Sequence, residues 1–71
     1  MNNELNKTLL TDMQLFAAAL AEVNVVVIQF TADDIPVFLA VGKIRKYTPY
    51  EVQIGEIAYL REESEFRVKE D

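Results

Sequence analysis

The three tyrosines and four of the seven basic residues of this 71-residue chain lie between positions 43 and 61, as Lys43, Arg45, Lys46, Tyr47, Tyr50, Tyr59 and Arg61. These are the side chains best equipped for binding chemistry. An aromatic ring offers a face on which any nucleobase stacks, worth about 1–3 kcal/mol per base, and Lys and Arg neutralise phosphates with release of counterions. The same residue types also serve as cover. Tyr47 and Tyr50 flank a Thr48-Pro49 turn and can close one end of a core with their hydroxyls in water. Lys43, Arg45 and Lys46 can equally form a solvated strand face, with Lys discouraging edge pairing. Alternation along a strand sets Lys43 and Arg45 on one face and Lys46 on the other with Ile44, which splits the patch unless Gly42 or the strand end twists it together.

Other chemistry finds little support. With no His and no Cys, the chain has no imidazole base, thiolate nucleophile or zinc site of ordinary type. Ser64 has no evident base, and no Gly-rich phosphate loop is present. Asp33-Asp34 and Glu62-Glu63-Glu65 read as solvated loops rather than a hard-cation site or an acid/base pair. The expectation is a protein that is not an enzyme and carries neither cofactor nor metal. A net charge of -5 argues against indiscriminate binding to nucleic acid, although the basic cluster leaves room for a local patch on an acidic body. Absence of Cys, a start lacking basic residues and apolar runs such as Val25 to Ile28, far short of the roughly 20 residues needed to span a bilayer, point to a cytoplasmic protein without membrane association.

The elements that position these residues follow from pattern. Thr11-Asp12-Met13-Gln14 fits a capping box, with Leu10 and Leu15 placed as a hydrophobic staple and Asp12 at the positive end of the helix dipole. Met13, Phe16, Ala17 and Leu20 then make an apolar stripe, expected to face the core or another subunit, on a helix over about 12–22. Before it, Asn2 to Thr8 is polar and expected to fray. From Val23 the β-branched run reads as strand over about 23–30. Thr31 to Pro36 is a loop, and a long strand covers about 37–47 with Gly42 at a bend. Strands over about 50–54, 57–61 and 66–69 complete one helix and five strands in a single domain over 1–71.

Within that order, Gly42-Lys43-Ile44-Arg45-Lys46-Tyr47 and Tyr50-Glu51-Val52-Gln53-Ile54 resemble the Sm-like family, LSm and Hfq-like proteins, over about Thr11 to Val68. The family's glycine, spaced aliphatic and aromatic fall on Gly42, Ile44 and Tyr47, and Tyr59-Leu60-Arg61 stands where a Tyr-Lys-His triplet is usual. Thr48 replaces the family's Asp, the Thr31–Pro36 loop replaces a tight Asn-Gly turn, and Glu62-Glu63-Ser64 lengthens the last turn. The resemblance implies a mainly β fold with one N-terminal helix, a five-stranded, strongly bent antiparallel barrel of SH3 type. It also implies a homo-oligomeric ring of about five to seven subunits binding single-stranded RNA through Tyr50, Tyr59 and Arg61 near the pore, and the small size and divergence of the chain suggest a phage or other mobile-element origin.

Ring assembly also has an independent argument. A chain this short buries only about 60% of the surface its unfolded form exposes, yet 51% of these residues are apolar and no disulfide staples them. Two functions remain open: a homo-oligomer binding single-stranded nucleic acid in RNA processing or regulation, or a protein-interaction or assembly module without nucleic acid. The first needs Lys43, Arg45 and Arg61 to converge beside Tyr50 or Tyr59. The second needs a continuous acidic or apolar face.

Overall fold

The computed structural model describes residues 8–69, so most of the polar start, together with Glu70 and Asp71, lies outside the described residues. The helix α1 runs over Asp12–Ala21. Its capping box forms as expected: the Gln14 N–H donates to the Thr11 hydroxyl at 3.1 Å, and the Gln14 side-chain oxygen accepts from the Thr11 N–H at 3.0 Å and the Leu10 N–H at 2.7 Å. Thr11→Ala should therefore cost about 1 kcal/mol in chemical denaturation, the usual loss for a cap; an unchanged midpoint would contradict it. Glu22 ends the helix in the left-handed region (φ 58°), and Val23 N–H donates back to the Ala18 carbonyl at 3.3 Å. That closing turn uses Val23, so the first strand starts two residues later than its β-branched run.

Six strands follow: β1 (Val25–Phe30), β2 (Pro36–Gly42), β3 (Ile44–Tyr47), β4 (Glu51–Ile54), β5 (Ile57–Leu60) and β6 (Glu65–Val68). They form two antiparallel three-stranded sheets, ordered β2-β1-β6 and β3-β4-β5. The five-stranded closed barrel is therefore not what the chain builds. The long strand expected over 37–47 is interrupted at Lys43, and its halves join different sheets. A bulge interrupts each half as well, with Leu39 the extra residue against β1 and Arg45 the extra residue against β4. Gly42 stands at the break and packs closely on β4, since a Cβ there would come within 3.1 Å of Ile54 Cγ2. No pairing joins β5 to β6, whose link runs through Arg61–Ser64.

The core lies between the sheets and under α1. Leu15 and Ala18 of α1, Val25 and Val27 of β1, Ile44 of β3, Val52 and Ile54 of β4, and Phe66 of β6 form one buried cluster. Leu9 packs against it, and its N–H donates to the Phe66 carbonyl at 2.8 Å, while Thr8 bridges Arg67. The expected staple residue Leu10 is exposed instead, and Thr8 pairs rather than frays.

The helix also turns the opposite way from its sequence pattern. Met13, Phe16 and Leu20, expected to face the core or another subunit, do not face the core: all three are exposed, and the buried positions are Leu15 and Ala18 on the other side. At 100° per residue the two sets sit on opposite faces, so α1 is apolar all round. The small Ala18 and Ala19 let the helix approach the sheets closely. Leu15 supplies the volume.

Candidate functional site

Thr48 organises the turn that carries Tyr50. Its hydroxyl accepts from the N–H groups of Tyr50 and Glu51, both at 3.1 Å, and its own N–H donates to the Glu51 carbonyl at 2.9 Å. This is the local hydrogen bonding that favours Thr at turns, and it lets Thr48 stand where the resemblance leads one to look for Asp. Tyr50 projects from the turn with 75% of its surface exposed. Its neighbours in a groove of about 190 Å³ are Pro49, Leu60 and Glu62, with none of the cations of β3 among them.

Arg61 is not available beside it. The guanidinium donates through Nη1 to the Thr48 carbonyl at 2.7 Å and to Asp12 Oδ1 at 2.8 Å, and its side chain is only 20% exposed. The Arg61 N–H also donates to the Tyr50 carbonyl at 2.8 Å. Arg61 thus ties the helix start, the β3–β4 turn and the end of β5 together. Arg61→Met should cost about 1–3 kcal/mol in urea unfolding, because it strands a partly buried carbonyl. Asp12→Asn should cost less than about 1 kcal/mol, since Asp12 is largely in water. Equal losses would contradict this division.

Tyr47 and Tyr59 fall on either side of Val52 in one cross-strand row, Tyr47 paired with Val52 and Val52 with Tyr59. Both are partly buried against the core. They are cover, and Tyr50 alone among the tyrosines is open for stacking.

The basic residues of β3 fare differently from expectation. The bulge at Arg45 breaks the alternation, so Ile44 is buried opposite Ile54 while Lys46, opposite Gln53, is exposed. Lys43, Arg45 and Lys46 are all exposed, and among the described residues none of them makes an ion pair. Lys46 is therefore not turned inward with Ile44, and all three cations, Lys43 at the break and Arg45 and Lys46 in β3, reach the surface. Among the described residues, no three His, Cys, Asp or Glu side chains are gathered to hold a metal ion, and no helix is long and apolar enough to cross a membrane.

The most unusual surface is one the sequence reading passed over. In β2, Val37, Phe38, Leu39 and Val41 are all exposed, as are the flanking Phe30 and Ile35. The register places Phe38 against Ile28 and Val41 against Val26, on the face turned away from the core residues Val25 and Val27. Val37 and Leu39, with Gln29, Phe30 and Thr31, line a separate groove of about 270 Å³. The strand therefore shows apolar side chains on both faces and is hydrogen-bonded on one side only. The signal was present in the unbroken apolar run Ile35 to Val41, which lacks the alternation of a strand with one wet face.

Comparison of the chain with protein-family models, curated proteins and solved structures gives no significant match in any of the three.

Proposed function

We propose that this chain is a self-assembling β-module that joins copies of itself through β2. The observation that supports this reading is the two-faced apolar surface of β2, with Phe38 69% exposed at its centre. Monomers rarely expose contiguous apolar patches beyond a few hundred Å², and larger ones mark interaction sites. Full burial of such a side chain from water contributes roughly 1.5–3 kcal/mol, and with about half of that surface still exposed on each, several together give a drive toward association for a chain with a small core. Light scattering from low to high micromolar concentration tests it. Masses at multiples of 8.1 kDa are expected, and the monomer mass throughout would refute it.

A second reading is favoured by the bulge at Arg45, which brings Lys43, Arg45 and Lys46 to the surface in one run. In this reading the assembled module binds single-stranded nucleic acid, RNA foremost. Lys43 and the β3 cations meet phosphates and Tyr50 stacks a base, and because these groups and Arg61 do not converge within one copy, repetition over several copies has to bring them onto one strand. Fluorescence anisotropy with oligo-U and oligo-A should then show binding at low salt, with a log–log salt slope that falls by about 0.7 for each cation removed. Tyr50→Ala should weaken it by about 1–3 kcal/mol per base lost. No binding at low salt eliminates the nucleic-acid reading and leaves assembly standing.

A further inference from the structure

We infer that the surface covering β2 is the exposed face of α1 from a second copy of this chain, Met13, Phe16 and Leu20 packing on Phe30, Phe38 and Val41. The inference rests on the assembly reading above and adds which surfaces meet.

Strand addition is the obvious alternative for a free edge, but this edge is blunted. Pro36 has no N–H to donate, and the bulge at Leu39 interrupts the ladder in mid-strand. What remains attractive on β2 is its side-chain surface. A helix laid on a sheet is the usual way to cover one.

The chain carries one described helix, and that helix has an apolar face without cover. A helix apolar all round belongs inside a structure. Its core side is satisfied by Leu15 and Ala18, whereas Met13, Phe16 and Leu20 are each more than half exposed and outside the core cluster. The dimensions agree: ten helical residues span roughly 15 Å, and the five residues from Val37 to Val41 roughly 17 Å. Residues 1–7 are poor competitors for either surface, having only Met1 and Leu5 as large apolar residues.

Charge chooses helix on strand over helix on helix. Between Thr11 and Glu22 the helix has two acids, Asp12 and Glu22, and no base. Two such helices packed together offer no base to Glu22 of either copy. On the strand side, β2 itself is uncharged, follows exposed Asp33 and Asp34, and leads into exposed Lys43 and Arg45, which have no ionic partner among the described residues. Docked with Glu22 toward Lys43 and Arg45, the helix of one copy matches the strand of the next in apolar surface and brings an acid unpaired among the described residues to a base, Asp12 being held already by Arg61. Because the two surfaces differ, the contact is heterologous, and repeating it closes a ring or extends a filament.

Mixing two variants tests this. Phe16→Glu spoils the helix face and spares β2, whereas Phe38→Glu does the reverse. Both residues are exposed, so circular dichroism should show each variant folded, and Phe16→Ser and Phe38→Ser provide milder substitutes if either is not. Sedimentation velocity should give an assembly for the natural sequence and a monomer for each variant alone. The 1:1 mixture should give a dimer and nothing larger, since one intact helix face and one intact strand remain. A mixture that stays monomeric, or a Phe16→Glu variant that assembles as the natural sequence does, overturns the inference. Dissociation by Phe38→Glu with none by Phe16→Glu would remove the helix contact while keeping assembly through β2. A natural sequence monomeric at every concentration removes both.

Discussion

Phe66→Ala should unfold this protein or bring it close to unfolding. Phe66 is 3% exposed, belongs to the cluster that joins both sheets to α1, and lies opposite Val27 across the β1–β6 pair. Truncating a buried Phe costs about 3–5 kcal/mol, through lost transfer energy and the cavity left behind. Small domains have little to spare, with total stabilities toward the lower end of about 5–15 kcal/mol. Its backbone carbonyl also holds the Leu9 N–H, so disorder at Phe66 would release the entry to the helix. Each kcal/mol moves Tm by about 4–8 °C in a domain of this size. A thermal melt that shifts by less than about 5 °C would show that the core does not depend on Phe66. Phe16→Ala is the matching control. At 54% exposure, Phe16 should change folding stability little in the dissociated chain.

Phe38→Glu should abolish assembly while leaving the fold intact. In the single copy Phe38 is exposed, so a carboxylate there stays solvated. At an interface, the same carboxylate must be desolvated without a built partner. An aromatic anchor at the centre of an interface contributes about 2 kcal/mol or more, which is a loss of roughly 30-fold in association constant before the charge penalty is added. Sedimentation across a concentration series should therefore find the variant monomeric where the natural sequence is assembled. Equal masses for the two would show that the contact lies elsewhere.

The parts of the fold legible from sequence were those governed by local chemistry. Thr11 and Gln14 announced the helix start because a capping box needs only neighbouring residues. The β-branched run announced β1, and the alternation of Val52 and Ile54 with Glu51 and Gln53 announced β4. The single long strand failed because alternation is blind to bulges. Extra residues at Leu39 and Arg45 and the break at Lys43 turned one strand into two, and with it a barrel into two sheets. One extra residue also moved Lys46 from the side of buried Ile44 to the surface.

The site was legible in its residue types and not in their engagements. Tyr50 is exposed, as a stacking platform requires, but Tyr59 was committed to the core by its pairing with Val52. Arg61 was committed to Asp12 and the Thr48 carbonyl, contacts spanning many residues that no spacing rule foretells. The helix stripe misled for a different reason. Periodicity finds an apolar face without saying which of two apolar faces meets the core, and here it is the face with Leu15 and Ala18.

Amide hydrogen exchange followed against protein concentration tests assembly through β2 most directly, because it locates the contact as well as detecting it. Residues 36–42 should exchange quickly in dilute solution, where one edge and both side-chain faces meet water, and slow markedly as concentration rises. Ile54 and Val52, already buried in the single copy, should respond far less. Exchange over 36–42 that does not depend on concentration, across a range in which the mass rises above 8.1 kDa, would contradict β2 as the joining surface.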